Sequence, residues 1–164
     1  MEQPSAYHEL GRFIVEFQLA EAALTDLLIL MAKADDEAIR ILINELSYSQ
    51  RVKATDVMFA RFVDLRRQLD PVEKDGFHCL MVEFGKLGER RNEIVHSKYT
   101  SWSNDEGSSG LLRENSRLRA SKGTREEREE KLLPHVLTDD FRHLSTALNQ
   151  LEGFRQKIIE WMNP

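Results

Sequence analysis

At 164 residues, with 41% hydrophobic and 31% charged side chains and only four prolines, the chain is sized for one mainly helical, water-soluble domain with its own core. A net charge of -5 excludes a general nucleic-acid coat, because affinity for phosphates rests on Lys and Arg, so any RNA site must be local. There is no apolar run of membrane-spanning length, Met1-Glu2-Gln3-Pro4 lacks a basic signal region, and the lone Cys79 allows neither an internal disulfide nor a thiolate zinc cluster, so the expected compartment is the cytoplasm.

From about Ala6 to Lys33, Phe13, Phe17, Ala20, Leu24, Leu27, Leu28 and Met31 recur at three- and four-residue steps, the spacing of an amphipathic helix. Asp35-Asp36 breaks the pattern and can cap a second helix, expected over 36–69 with Ile39, Leu42, Ile43, Leu46, Val57, Met58, Phe62 and Leu65 as its apolar positions. The hydroxyls of Ser47-Tyr48-Ser49 compete for backbone partners and can bend or split that helix. Asp70-Pro71 supplies a turn with Pro set for helix entry, and a third helix follows to about Ser97. Within it Gly85 and Gly88 each cost about 1 kcal/mol relative to Ala. A close approach of another backbone there, in a helix–helix or dimer seam, or a local break would account for them.

After Ser97 the chemistry changes. Tyr99-Thr100-Ser101-Trp102 favours a strand, 104–110 is turn-forming, and Leu111-Leu112 can start a returning strand, so 98–120 reads as a β-hairpin. The charged, apolar-poor stretch from Arg117 to Lys131 reads as mobile, with Thr124-Arg125-Glu126-Glu127 as a cap for a short helix. Pro134 is a boundary, and Thr138-Asp139-Asp140 resembles an N-cap with acidic residues in the first turn of a last helix. Its stripe is Phe141, Leu144, Leu148, Leu151, Phe154, Ile158 and Trp161. The fold class expected from these pieces is all-α, a four-helix up-and-down bundle with a β-hairpin insertion between helices three and four.

The stretch Glu89-Arg90-Arg91-Asn92-Glu93-Ile94-Val95-His96 carries the chemistry. On a helical count Phe77, Met81, Phe84, Gly88 and Val95 share one face with Arg91 in its middle, so a guanidinium is aimed where a hydrophobe belongs. Such a placement requires a partner, because an unpaired buried ion loses several kcal/mol of hydration. Asn92 and His96, at i and i+4, flank the same stripe. A bland reading is available: Arg91 pairs with a carboxylate such as Glu16 or Glu21 while His96 caps the helix end.

Arg91-Asn92 followed by His96 resembles the signature of the HEPN domains, helical bundles with an Arg, a polar residue and a His four to six positions after the Arg. The resemblance implies one HEPN-like domain over 1–164 with 98–137 as a hairpin and charged-loop insertion. It implies a metal-independent endoribonuclease that needs no cofactor, works as a homodimer with both motifs facing one cleft, and serves as a toxin or phage-defence effector. Arg91 and His96 would be the catalytic pair, with Asn92 the supporting polar residue. Cleavage by 2′-hydroxyl attack would leave a 2′,3′-cyclic phosphate and a 5′-hydroxyl. In the HEPN toxins paired with nucleotidyltransferase antitoxins, a Tyr follows the motif His after one residue. Here Ser97 and Lys98 both precede Tyr99, which puts control by modification of that Tyr in doubt, although an antitoxin protein remains an expected partner.

The physics of the reaction fits these residue types. A His exchanges protons near neutral pH, and an Arg fork holds a phosphate. One chain supplies one such His, and a twofold axis would supply two. Arg90, Lys98 and Tyr99 are candidate RNA contacts, beside the readings that exposed charges are merely solvated and that hairpin aromatics pack on the bundle. Arg113, Arg117, Arg119, Lys122 and Arg125 form a second basic stretch. His135, Asp139 and His143 make an improbable metal site, and Cys79 reads as a small packed hydrophobe. The competing class is a non-catalytic HEPN-like bundle that binds RNA or nucleotide, or scaffolds a protein partner.

Overall fold

A computed structural model describes residues 5–66, 68–119 and 122–163, with the side chains of 117–119 left aside. The Met1-Glu2-Gln3-Pro4 segment therefore lies outside the described residues. The chain is mostly helical with one small sheet, in the order α1 (Ala6–Ala32), α2 (Asp36–Asn44), α3 (Tyr48–Asp64), α4 (Val72–Val95), β1 (Lys98–Ser103), β2 (Ser109–Arg119), β3 (Thr124–Leu132) and α5 (Pro134–Met162). No helix among the described residues is long and apolar enough to cross a membrane.

The helix predicted over 36–69 is two helices. Asp35 caps α2 by accepting the Ala38 amide at 2.8 Å. Ser47 then builds a capping box for α3, its hydroxyl accepting the Gln50 amide while the Gln50 side chain accepts the Ser47 amide at 2.8 Å. Two satisfied amides at a new N-terminus decide the choice between bending and splitting. The final helix likewise begins at Pro134 and not at Thr138. Pro is pre-set for a first turn, and the Thr138 hydroxyl donates back to the Pro134 carbonyl at 2.9 Å from within the helix.

The largest departure lies in 117–131. The segment expected to be mobile supplies β3, which pairs with β2 in an antiparallel sheet of order β1-β2-β3. Glu and Lys favour strands weakly, but cross-strand pairing overrides that preference. Arg113 stands directly opposite Glu130 and Leu111 opposite Leu132, so one ion pair and one apolar pair anchor the register. The connection from β1 to β2 turns at Gly107, whose φ of 83° suits a residue without a side chain.

The chain divides into two compact units. Gln18–Gly88 with Leu144–Pro164 forms one around an aromatic core. Phe59 stacks on Phe77 at 4.0 Å, and Phe154 meets both rings edge-on at 5.5 and 5.1 Å. Leu24, Leu27, Phe84, Leu144 and Ile158 fill the rest without exposure. Gly88 belongs here because the Tyr48 ring lies against it: a β-carbon would come within 2.3 Å of that ring. The close neighbour is thus an aromatic side chain, and Gly85 has nothing beside it. Cys79 is exposed, not packed, because Phe77, Leu80 and Met81 take the buried face of α4.

Met1–Phe17 with Glu89–His143 forms the other unit. Phe13, Phe17, Ile94, Leu111, Leu132 and Leu137 are its buried apolar residues. Charge does much of the remaining packing. Glu9 is 2% exposed, with the Arg12 guanidinium 3.7 Å from its carboxylate and the Thr138 hydroxyl at 3.4 Å. Arg12 itself lies 3.6 Å above the Phe141 ring.

Candidate functional site at the end of helix α4

The site is built where α4 stops. A helix end leaves its last carbonyls unpaired, and here those of Asn92, Glu93 and Ile94 find donors from the following residues or from β2. The His96 amide donates to Asn92 at 3.0 Å. The Glu93 carbonyl accepts the Ser97 hydroxyl and the Arg113 guanidinium, and the Ile94 carbonyl accepts the Tyr99 hydroxyl at 2.6 Å. Burial raises the pKa of Tyr99, and the nearby Arg113 and Arg90 offset part of that rise. The cap expected of His96 is therefore supplied by Ser97, Arg113 and Tyr99. Tyr99, a candidate for base stacking, has its hydroxyl fixed at the helix end.

Behind this cap lies a network of ions. Arg113, 5% exposed, donates to the Glu130 carboxylate from Nε at 2.8 Å and lies 2.7 Å from it through Nη2. Arg90 grips the same carboxylate with both terminal nitrogens, at 2.8 and 2.9 Å, and donates from Nε to Asp140 at 2.9 Å. Burial pushes the Glu130 carboxyl up, but the two guanidinium groups outweigh it and hold the pKa below the ordinary carboxylate value. Burial likewise opposes the charge on Arg90, and Glu130 and Asp140 more than restore it. Arg90 was a candidate RNA contact, yet its donors are occupied by two carboxylates. It holds α4, β3 and α5 together within this unit.

Arg91 has a different neighbourhood. Its Nη1 donates to the Asn92 side-chain oxygen at 3.2 Å, and its guanidinium carbon lies 5.8 Å from the centre of the Phe17 ring. Those are its contacts among the described residues, so the ion pair of the bland reading, within this unit to Glu16, does not form. Aromatic contact and half-exposure replace it. The apolar stripe also shifts at its end: Ile94 is buried, whereas Val95 is 43% exposed.

Asn92 and His96 open onto two adjoining recesses of about 320 Å³ each. Asn92, Glu93 and Arg113 line the first; His96 and Lys98 line the second; Asn115, Ser116 and Arg128 line both. Arg91 lines neither. Five helical steps turn a side chain by about 140°, which sends Arg91 and His96 to different sides of α4, while the four steps from Asn92 to His96 keep that pair together. The imidazole of His96 is exposed and has no hydrogen-bond partner among the described residues, and Lys98 is equally free.

The second basic stretch has its described side chains in different settings. Arg113 is buried in the ion network, Arg125 pairs with Glu127 at 3.0 Å, Lys122 is exposed, and the side chains of Arg117 and Arg119 lie outside the described residues. Sequence reasoning missed Glu130 and Arg128, and named Arg113 and Asp140 without the ion pairs they make. The available signal was an Arg on one predicted strand and a charge-alternating run just before Pro134. No group of three His, Cys, Asp or Glu side chains among the described residues is placed to hold a metal ion. Comparison with protein-family models, curated proteins and solved structures gives no match.

Proposed function

We propose that this chain is a metal-independent endoribonuclease of HEPN type, a toxin or phage-defence effector in which His96 exchanges the protons of 2′-hydroxyl attack. The observation that carries the reading is the free, solvent-facing imidazole of His96 in a polar recess, beside a helix end whose Glu93 and Ile94 carbonyls are satisfied by other groups. Had His96 been a structural cap, its ring would be engaged. In this reading Asn92 orients Arg91, and Arg91 supplies the cation for the pentavalent phosphate.

Because Arg91 and His96 leave α4 on different sides, the reading requires a second copy, arranged as a homodimer in which motif residues of both chains share one cleft. A four-helix up-and-down HEPN bundle is the fold it assumes, and the cytoplasm is where such an enzyme would meet its RNA. Toxicity would call for an antitoxin partner. End-group analysis of cellular RNA incubated with the protein in EDTA provides the test. New 2′,3′-cyclic phosphate and 5′-hydroxyl ends are expected, and unchanged RNA contradicts the proposal.

The divergence of Arg91 from the recesses also favours a second reading, a non-catalytic HEPN-like bundle that binds RNA or nucleotide, or scaffolds a protein. Sedimentation separates the two: a monomer at micromolar concentration cannot assemble the shared cleft.

A further inference from the structure

Helices α2 and α3 belong to the unit of Gln18–Gly88 with Leu144–Pro164, which holds none of the motif residues. Ile43 of α2 is buried with Leu28 and Ile29, and Ile39, Ala54 and Met58 pack against that cluster. Ile41 is two residues from both Ile39 and Ile43, about 200° round the helix from each, so it points away from the cluster and is 60% exposed. Glu37 and Glu45, four residues before and after it, share that outward side and are exposed. Helix α3 repeats the pattern with the opposite charge. Its buried face carries Phe59, Phe62 and Val63, while Lys53, Val57 and Arg61 recur in steps of four on the other side, with Val57 69% exposed. Each stripe thus sets two like charges about 12 Å apart along the axis, with a branched apolar side chain between them.

The other charges of α3 are engaged. Arg51 donates to the Leu46 carbonyl at 3.1 Å, Asp56 lies 2.6 Å from His78, and Asp64 accepts from Lys74 at 2.6 Å. Arg40 of α2 likewise pairs with Asp26 at 3.2 Å. The side chains of Glu37, Glu45, Lys53 and Arg61 make no hydrogen bond or ion pair among the described residues. The complement that each stripe lacks, two opposite charges flanking an exposed apolar residue at equal spacing, is therefore present on this chain itself.

We infer that the two stripes form one self-complementary face on which a second copy of this chain docks: Glu37–Ile41–Glu45 of one copy lies along Lys53–Val57–Arg61 of the other, and a twofold axis makes the reciprocal contact. Equal spacing matches both charges at once whichever way the helices run. Ile41 and Val57 cover each other between the ion pairs, giving a dry centre within a charged rim. Exposed ion pairs contribute little singly, so the apolar contacts supply affinity while the charges choose the partner. An isologous contact closes on itself and stops at two copies. This contact is separate from the shared cleft that the ribonuclease reading requires, and it does not depend on that reading.

Sedimentation velocity of the full chain and two charge-reversed variants, at concentrations spanning the association midpoint, tests the inference. Glu37→Lys/Glu45→Lys makes both stripes basic, and Lys53→Glu/Arg61→Glu makes both acidic. Each double variant is expected to weaken association about a hundredfold or more, halving the mass that the unmutated protein shows. An equimolar mixture of the two is expected to regain that mass, because every contact is again between opposite charges. Each reversal shifts the net charge by four, from -5 to -1 and to -9, so both variants stay negative and general attraction cannot restore the contact. A monomeric unmutated protein overturns the inference. Unchanged mass in both variants also overturns it and leaves the shared cleft as the dimer contact. Halved mass that does not recover on mixing overturns it too, since loss of the fold or of another contact gives that result. RNA cleavage is read separately and bears only on the ribonuclease reading.

Discussion

The two compact units are held together by different physics. Gln18–Gly88 with Leu144–Pro164 encloses stacked Phe59 and Phe77 with Phe154 set edge-on against them. The unit that carries His96 adds to its buried Phe13, Ile94, Leu111 and Leu132 a part-buried ion cluster of Arg90, Arg113 and Glu130. Apolar burial is stabilising by itself, whereas a part-buried carboxylate between two guanidinium groups roughly offsets its own desolvation and becomes costly only when one partner is lost. The apolar unit thus gains stability from its centre. The charged unit gains a fixed geometry, which keeps α4, β2 and β3 in place around the recesses where Asn92, His96 and Arg128 emerge.

Removing the centre of each unit should break this comparison in distinct ways. Phe59→Ala is expected to cost about 3–5 kcal/mol in denaturant unfolding, from lost transfer energy and a cavity, with little dependence on pH. Glu130→Ala should cost less, about 2–3 kcal/mol, by stranding the buried Arg113 while Arg90 keeps Asp140, and its effect should vanish in acid. The sign follows from the lowered pKa of Glu130. A carboxylate depressed in the folded state adds stability that is present above the ordinary value of 4.5 and is lost as pH falls through the folded value. Stability of the unmutated protein should therefore drop below about pH 4.5, and the gap between it and Glu130→Ala should close over the same range. A gap constant from neutral pH to full acid would show that the ions are not coupled as described.

A smaller effect tests packing around Tyr48. Its hydroxyl donates to the Phe84 carbonyl at 2.8 Å, and burial raises its pKa, with Glu21 adding to the rise. Gly88→Ala would drive a methyl group into that ring, at an expected cost of about 1–3 kcal/mol. Near-neutral stability would mean that the ring can move aside and that Gly88 is not required there.

Apolar periodicity made much of the helical framework legible. Phe13, Leu24 and Phe84 lie buried on the faces the sequence assigns to them. The split at Ser47 was half-visible, because competition by hydroxyl groups was evident but the reciprocal Gln50 contact needed geometry. Strand β3 was not legible. Its residues have weak strand preference, and what orders them is Arg113, distant in sequence and opposite Glu130 only once the sheet exists. At the site, sequence spacing brought out Asn92 with His96, since i and i+4 share a helix face. It could not show that Arg90 would be occupied by Glu130 and Asp140, or that Arg128 would remain unpaired, because ion pairing depends on which strands become neighbours.

The most direct test sets stability against chemistry in one variant. His96→Ala should leave unfolding free energy within about 0.5 kcal/mol of the unmutated protein, since the imidazole is exposed and unpartnered, while RNA cleavage in EDTA falls to background. Retained cleavage, or a loss of stability as large as that of Glu130→Ala, would contradict the assignment of His96 as a free catalytic group.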